Sequence, residues 1–145
     1  MYEEIFRQMI PGATGGLIAG LVIAAIVIFI ISLLFITAIY IYTSYAMYTI
    51  AKKLKYKKAW LAWIPIANLF LLPILAKWEW GYGFLMLIPV ANLVFAIIWF
   101  WEIYKRRGYN GALAIVKAFY VVPPLIPAVF IADMIILGIV AFEKK

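Results

Sequence analysis

The sequence predicts an all-α integral membrane fold: a bundle of about four hydrophobic helices, kinked by proline and related by a weak, inverted internal repeat. Three observations predict it. Of 145 residues, 69% are hydrophobic and only 13% charged, and the mean hydropathy is +1.09. A soluble domain of this length carries more polar surface than that. The apolar residues fall into long runs, and the basic residues sit in the short gaps between them, so the net charge of +7 reads as membrane topology and not as a nucleic-acid surface. With no Cys and no His, disulfides, thiol nucleophiles, haem ligation and the usual zinc sites are excluded, and no cofactor is implied. The same absence, with scarce Asn and Gln and abundant Ile, fits a thermophile.

Residues 1–16, "MYEEIFRQMIPGATGG", are acidic, with Arg7 the only basic side chain. The apolar run behind them is too long for the core of a secretory signal. They read as a short interfacial amphipathic helix with Ile5, Phe6, Met9 and Ile10 toward the lipid boundary, or as a frayed terminus, followed by a flexible "PGATGG" lead-in. Span one covers residues 17–51. Its Leu17–Ile41 stretch has no charge and exceeds the roughly 20 residues that cross a core of about 30 Å. Tyr40, Tyr42, Tyr45 and Tyr48 then mark an interface. Gly16, Gly20 and Ala24 form a small-residue face suited to close packing, in self-association or with a membrane-protein partner.

Span two covers residues 60–76 and span three residues 84–104. Lys and Arg number five in 52–58, one in 77–83 and three in 105–107. By the positive-inside rule this alternation puts the N-terminus and 77–83 outside. Loops 52–58 and 105–111 are then cytoplasmic, in a multi-pass cell-membrane protein. All six Trp, at 60, 63, 78, 80, 99 and 101, fall at span ends, where aromatic belts lie. The last run, 112–142, is interrupted by Pro123, Pro124 and Pro127. The favoured reading is a Pro-broken span ending outside, because a hairpin arm of about 11 residues reaches only about 16 Å as helix. The alternative is a re-entrant hairpin that returns the C-terminus to the cytoplasm and brings Lys117 and Asp133 to one depth as an ion pair.

"IPIANL" at 64–69 and "IPVANL" at 88–93 repeat at an interval of 24 residues. The units Lys58–Trp78, Trp80–Tyr104 and Gly108–Phe142 each run from a turn into an apolar helix and a Pro break. Because the first two cross in opposite directions, they read as an inverted pair. Pro65 and Pro89, inside helices, free the carbonyls of Leu61 and Leu85. Asn68 and Asn92 lie one turn further on and can serve either as a polar tether between helices or as the lining of a small polar cavity. Asp133 sits in apolar sequence, paired with Lys117, bonded to Asn92, or neutral. Glu102 can pair with Lys105 or Arg106 at the helix end.

"AKKLKYKKAWLAWIPIANLFLLPILAKW", the second "LIPVANL" and "KRRGYNG" resemble a family of uncharacterised small polytopic membrane proteins of bacteria and archaea. Its hallmark is A-W-x-A-W-I-P-x-x-N after a Lys-rich loop, and similar segments are sometimes fused to a signal peptidase domain. The match covers roughly residues 50–142, and the last unit departs from it, with Phe130 in place of Asn. The resemblance implies a membrane domain and transfers no catalytic residues. No nucleophile stands with a base in recognisable spacing. The expected function is therefore a non-enzymatic membrane module, structural or partner-binding, with the lipid bilayer as its surroundings. The alternative is a minimal transporter or channel subunit with a polar path through Asn68, Asn92 and Asp133.

Overall fold

The computed structural model describes residues 1–144, and the side chains of all of these except 9–14. The expectations for Met9, Ile10 and Pro11–Thr14 lie outside the described residues. Among the described residues the chain is all-helical, with no strand. Four α-helices, α1 (Tyr2–Lys53), α2 (Pro65–Leu75), α3 (Pro89–Arg106) and α4 (Ile126–Phe142), alternate with 3-10 helices η1 (Ala59–Trp63), η2 (Trp80–Leu87), η3 (Gly111–Val121) and η4 (Pro123–Leu125). Two stretches are long and apolar enough to cross a membrane, Gly15–Lys53 and Pro123–Phe142.

The chain divides into two units, Met1–Tyr40 and Ile41–Lys145. The first is a single stretch of helix. Gly15 and Gly16 lie within it, not in a loop, and every side chain from 15 to 38 is exposed. Ser32 and Thr37 turn their hydroxyls back onto the Ile28 and Leu33 carbonyls, each at 2.8 Å, so these polar groups are satisfied inside the helix.

In the second unit Pro65 and Pro89 start helices and do not interrupt them, while Pro73 lies inside α2. Ile64 and Ile88 are extended, at φ −98° and −94°, and Pro65 and Pro89 are the first residues of α2 and α3. A residue before proline is pushed toward the extended region, and proline at a helix start gives up a donor that has no partner anyway. The expected free carbonyls are not free: Leu61 accepts from Ile64 N–H at 3.1 Å and Leu85 from Ile88 N–H at 3.2 Å. Pro thus starts an α-helix just after a 3-10 helix has ended. The third segment has the same order, with extended Val122 before Pro123. The other boundary also recurs. The N–H groups of Tyr56, Trp78 and Tyr109 reach five residues back, to Ala51, Pro73 and Tyr104, at 2.8–2.9 Å. Lys55, Lys77 and Gly108 stand at φ 60°, 66° and 83°. These are Schellman ends of α1, α2 and α3, where a left-handed residue closes the last turn.

Cross-links fix the directions. Tyr42 Oη donates to the Met134 carbonyl at 2.7 Å, the Tyr45 ring stacks on Phe142, and Lys53 Nζ donates to the Glu143 carbonyl at 2.8 Å. Residue numbers rise together along both helices, so α1 and α4 are parallel. Arg106 donates to the Leu75 carbonyl, which sets the ends of α2 and α3 side by side. Tyr109 meets Ile139 and Glu143 while Lys117, further along η3, meets Asp133. η3 therefore runs out and α4 runs back, as a hairpin.

Several expectations are corrected by this geometry. Within residues 112–142, η3 folds back on α4, the arrangement that brings Lys117 to Asp133; η3 gains about 2 Å per residue where an α-helix gains about 1.5 Å. Residues 60–76 and 84–104 are built as η1–α2 and η2–α3, each a 3-10 helix followed by an α-helix, and the ends of α2 and α3 lie side by side. The segment after Leu75 lies at the same end as Arg106, not opposite it. Trp99 is fully buried, packed on Trp78 and Phe95, and does not sit in an interfacial belt. Tyr42 and Tyr45 dock α1 on α4. Glu102 forms no ion pair among the described residues: Arg106 serves Leu75, and Lys105 Nζ sits 5.6 Å from the Trp101 ring centroid.

The outward arms pack closely because glycine lets them. A Cβ on Gly83 would come within 3.0 Å of Phe70 Cα, and one on Gly111 within 2.7 Å of the Trp101 ring. Gly83→Ala and Gly111→Ala are each expected to lower the unfolding free energy by about 1–3 kcal/mol through overpacking. Lys77→Gly, which relieves a left-handed side chain, should leave it unchanged or raise it by about 1 kcal/mol. Denaturant unfolding in detergent measures both.

Candidate functional site

The helix ends of the second unit meet at one basic end. Arg107 is buried, and its Nε donates to the Val140 carbonyl at 3.1 Å and its Nη2 to Glu143 at 3.2 Å. The Val140 carbonyl lies in the last turn of α4 and the Glu143 carbonyl just past its end, where no partner within the helix is available. Tyr109 Oη donates to Glu143 Oε2 at 2.7 Å. Lost hydration, and then the carboxylate that accepts its proton, raise the Tyr109 pKa. Ten of the twelve Lys and Arg side chains in 1–144 belong to 52–58, 77, 105–107 and 144, the segments gathered at this end; the others are Arg7 and Lys117. The opposite ends of the hairpins are apolar, with Ile64, Ile66, Ile88, Val90, Val122 and Leu125 exposed.

Between the two ends lies a cavity of about 160 Å³. Its polar lining is Thr43 from α1, Asn68 from α2, Lys117 from η3 and Asp133 from α4. Lys117 Nζ stands 2.7 Å from each Asp133 carboxylate oxygen and 3.9 Å from the Phe100 ring centroid. The pair is nearly buried, with 12% and 11% of the side chains exposed. In such surroundings each charge depends on the other. Among the described residues this is the ion pair that the hairpin reading anticipates.

The two asparagines part company. Asn92 donates its amide to the Met86 carbonyl at 3.0 Å and tethers α3 to the end of its own 3-10 arm, not to a neighbouring α-helix or to Asp133. Asn68 lines the cavity, and among the described residues its side chain makes no hydrogen bond. Pro65 and Pro89 lie at the exposed turning ends, away from this lining. Gly16 and Gly20 face open space within 4 Å, and Ala24 is exposed. Sequence reasoning missed Thr43, Phe100 and Arg107. "KRRG" before a Schellman glycine was the available signal for Arg107, since arginine commonly serves orphan carbonyls at helix ends.

Among the described residues no three His, Cys, Asp or Glu side chains gather as metal ligands. Among the described residues, buried Ser44 Oγ, Trp99 Nε1 and Tyr104 Oη have no hydrogen-bond partner. The chain matches no family model, no curated protein and no solved structure.

Removing either member of the ion pair alone, by Lys117→Met or Asp133→Leu, should cost about 3–5 kcal/mol, because it strands a buried charge. The double variant should recover most of that loss, which a double-mutant cycle on unfolding free energies measures.

Proposed function

We propose that the chain is a non-enzymatic integral membrane module with one true crossing and three re-entrant hairpins inserted from its basic end. The observation that carries this is the sorting of the second unit, with its Lys and Arg other than Lys117 at one end and exposed apolar turns at the other. The positive-inside rule makes the basic end cytoplasmic, at the headgroups, with the turns in hydrocarbon. The charge-free stretch of α1, residues 17–41, is long enough to cross the core, leaving the N-terminus outside. The inserted arm α2, of 11 residues, reaches about 16 Å, well short of a core of about 30 Å, and α3 and α4, of 18 and 17 residues, are each paired with a returning 3-10 arm.

Lipid offers no hydrogen bonds, so the turns must limit their free donors. Pro65, Pro89 and Pro123 remove one N–H each, and Ile64, Ile88 and Val122 donate back into the 3-10 arms at 3.0–3.2 Å. The exposed Gly16, Gly20 and Ala24 face supplies a surface for self-association or a membrane-protein partner. The resemblance to the small polytopic family agrees with this reading and adds no activity to it.

The cavity favours a second reading, a transport subunit with a polar path through Asn68, Asn92 and Asp133; Asn68 and Asp133 line the cavity, and Asn92 bonds to Met86. One experiment addresses both readings. The protein has no cysteine among its described residues, so single cysteines at Glu79, Tyr109 and Lys144 can be probed in sealed vesicles with a membrane-impermeant maleimide. The re-entrant arrangement predicts labelling of all three from one side. Labelling of residue 79 from the opposite side would rule it out. A cysteine at position 68 reached from both sides would favour transport.

A further inference from the structure

We propose that the cavity among α1, α2, α3, η3 and α4 binds a small uncharged polyol group, either a free polyol or the glycerol end of a neutral lipid. The cavity lies wholly within the second unit, so this inference stands apart from the re-entrant topology.

Size sets the first limit. A volume of about 160 Å³ holds about five waters at roughly 30 Å³ each. Sites for drug-sized ligands begin near 300 Å³, so a three-carbon polyol fits and a nucleotide does not. Charge sets the second. Lys117 and Asp133 cancel, and Thr43 and Asn68 are neutral, so an entering ion would find no opposite charge left to pair with.

Hydrogen bonding narrows the class further. The Lys117 ammonium is occupied by both carboxylate oxygens and the Phe100 ring. Asp133, which Tyr120 also bonds, still has a lone pair to offer, and Asn68 offers two donors and an acceptor from α2. Adjacent hydroxyls both donate and accept, so a diol satisfies the two groups together. A hydrocarbon would leave the Asn68 amide unpaired. The openness of Asn68 is a property of this place and not of its motif, because Asn92, at the matching position of α3, is bonded to Met86. Met47 and Met134 line the same space, and their flexible thioethers adapt to an occupant of irregular shape.

The test uses the purified full chain in maltoside micelles and equilibrium binding of radiolabelled 1-monooleoylglycerol, with oleate as the probe of equal chain but charged head. One monooleoylglycerol per chain is expected, bound at least about tenfold more tightly than oleate. Asn68→Leu should weaken it on the order of tenfold. Met47→Phe, which fills the cavity, should abolish binding while circular dichroism and thermal stability are kept. Displacement by free glycerol would assign the site to a free polyol, and retention against glycerol would assign it to the lipid. Equal binding of oleate, no binding at all, or unchanged binding in folded Met47→Phe would overturn the proposal.

Discussion

Four α-helices of the second unit end at one place, and the rest of the arrangement depends on how those ends are satisfied. Each helix C-terminus exposes carbonyls without partners and carries roughly half a negative charge. Gathering parallel helices therefore gathers like partial charges, which oppose assembly. Arg106 at Leu75, Arg107 at Val140 and Glu143, and Lys53 at Glu143 supply donors and opposite charge at that spot. The basic segments therefore hold helix ends together. Without them, parallel packing of α1, α2, α3 and α4 would leave carbonyls unpaired and dipoles uncompensated.

Parallel α-helices need return paths, and the 3-10 helices are those paths. A 3-10 helix is tighter than an α-helix and covers more length per residue. Gly83 and Gly111 bring two of these arms close to Phe70 and Trp101. Left-handed Lys55, Lys77 and Gly108 begin each return, and Pro65, Pro89 and Pro123 end it. The pair of "IPxANL" sequences is thus a helix-start device. Its asparagine either ties back to the arm, as Asn92 does, or faces the cavity, as Asn68 does.

Much of this was legible in the sequence. The apolar runs and the long first helix followed from composition and spacing, and the Lys117–Asp133 pair was one of the alternatives that the sequence left open. Direction was not legible, for a physical reason. A 3-10 arm and an α-helix both bring i and i+3 to one side, and proline looks alike inside a helix and at its first residue. An apolar run that reverses midway therefore reads like one that crosses. Lys77 compounded the error, because one lysine beside five and three looks like a weakly basic outer loop, yet it is the left-handed residue of a helix end on the basic side. Trp99 misled in the same way, since an aromatic near a charged segment can be core as easily as belt.

The central claim is that the ends of α2 and α3 lie together, and a distance across them tests it most directly. Spin labels on cysteines introduced at Lys77 and Lys105, both exposed, can be measured by pulsed dipolar spectroscopy in lipid nanodiscs. Adjacent packed helices sit about 8–10 Å apart, so with label arms the account predicts a distribution centred below about 25 Å. A distribution centred beyond the roughly 30 Å of the hydrocarbon core would contradict it, because the two segments would then face opposite sides of the membrane.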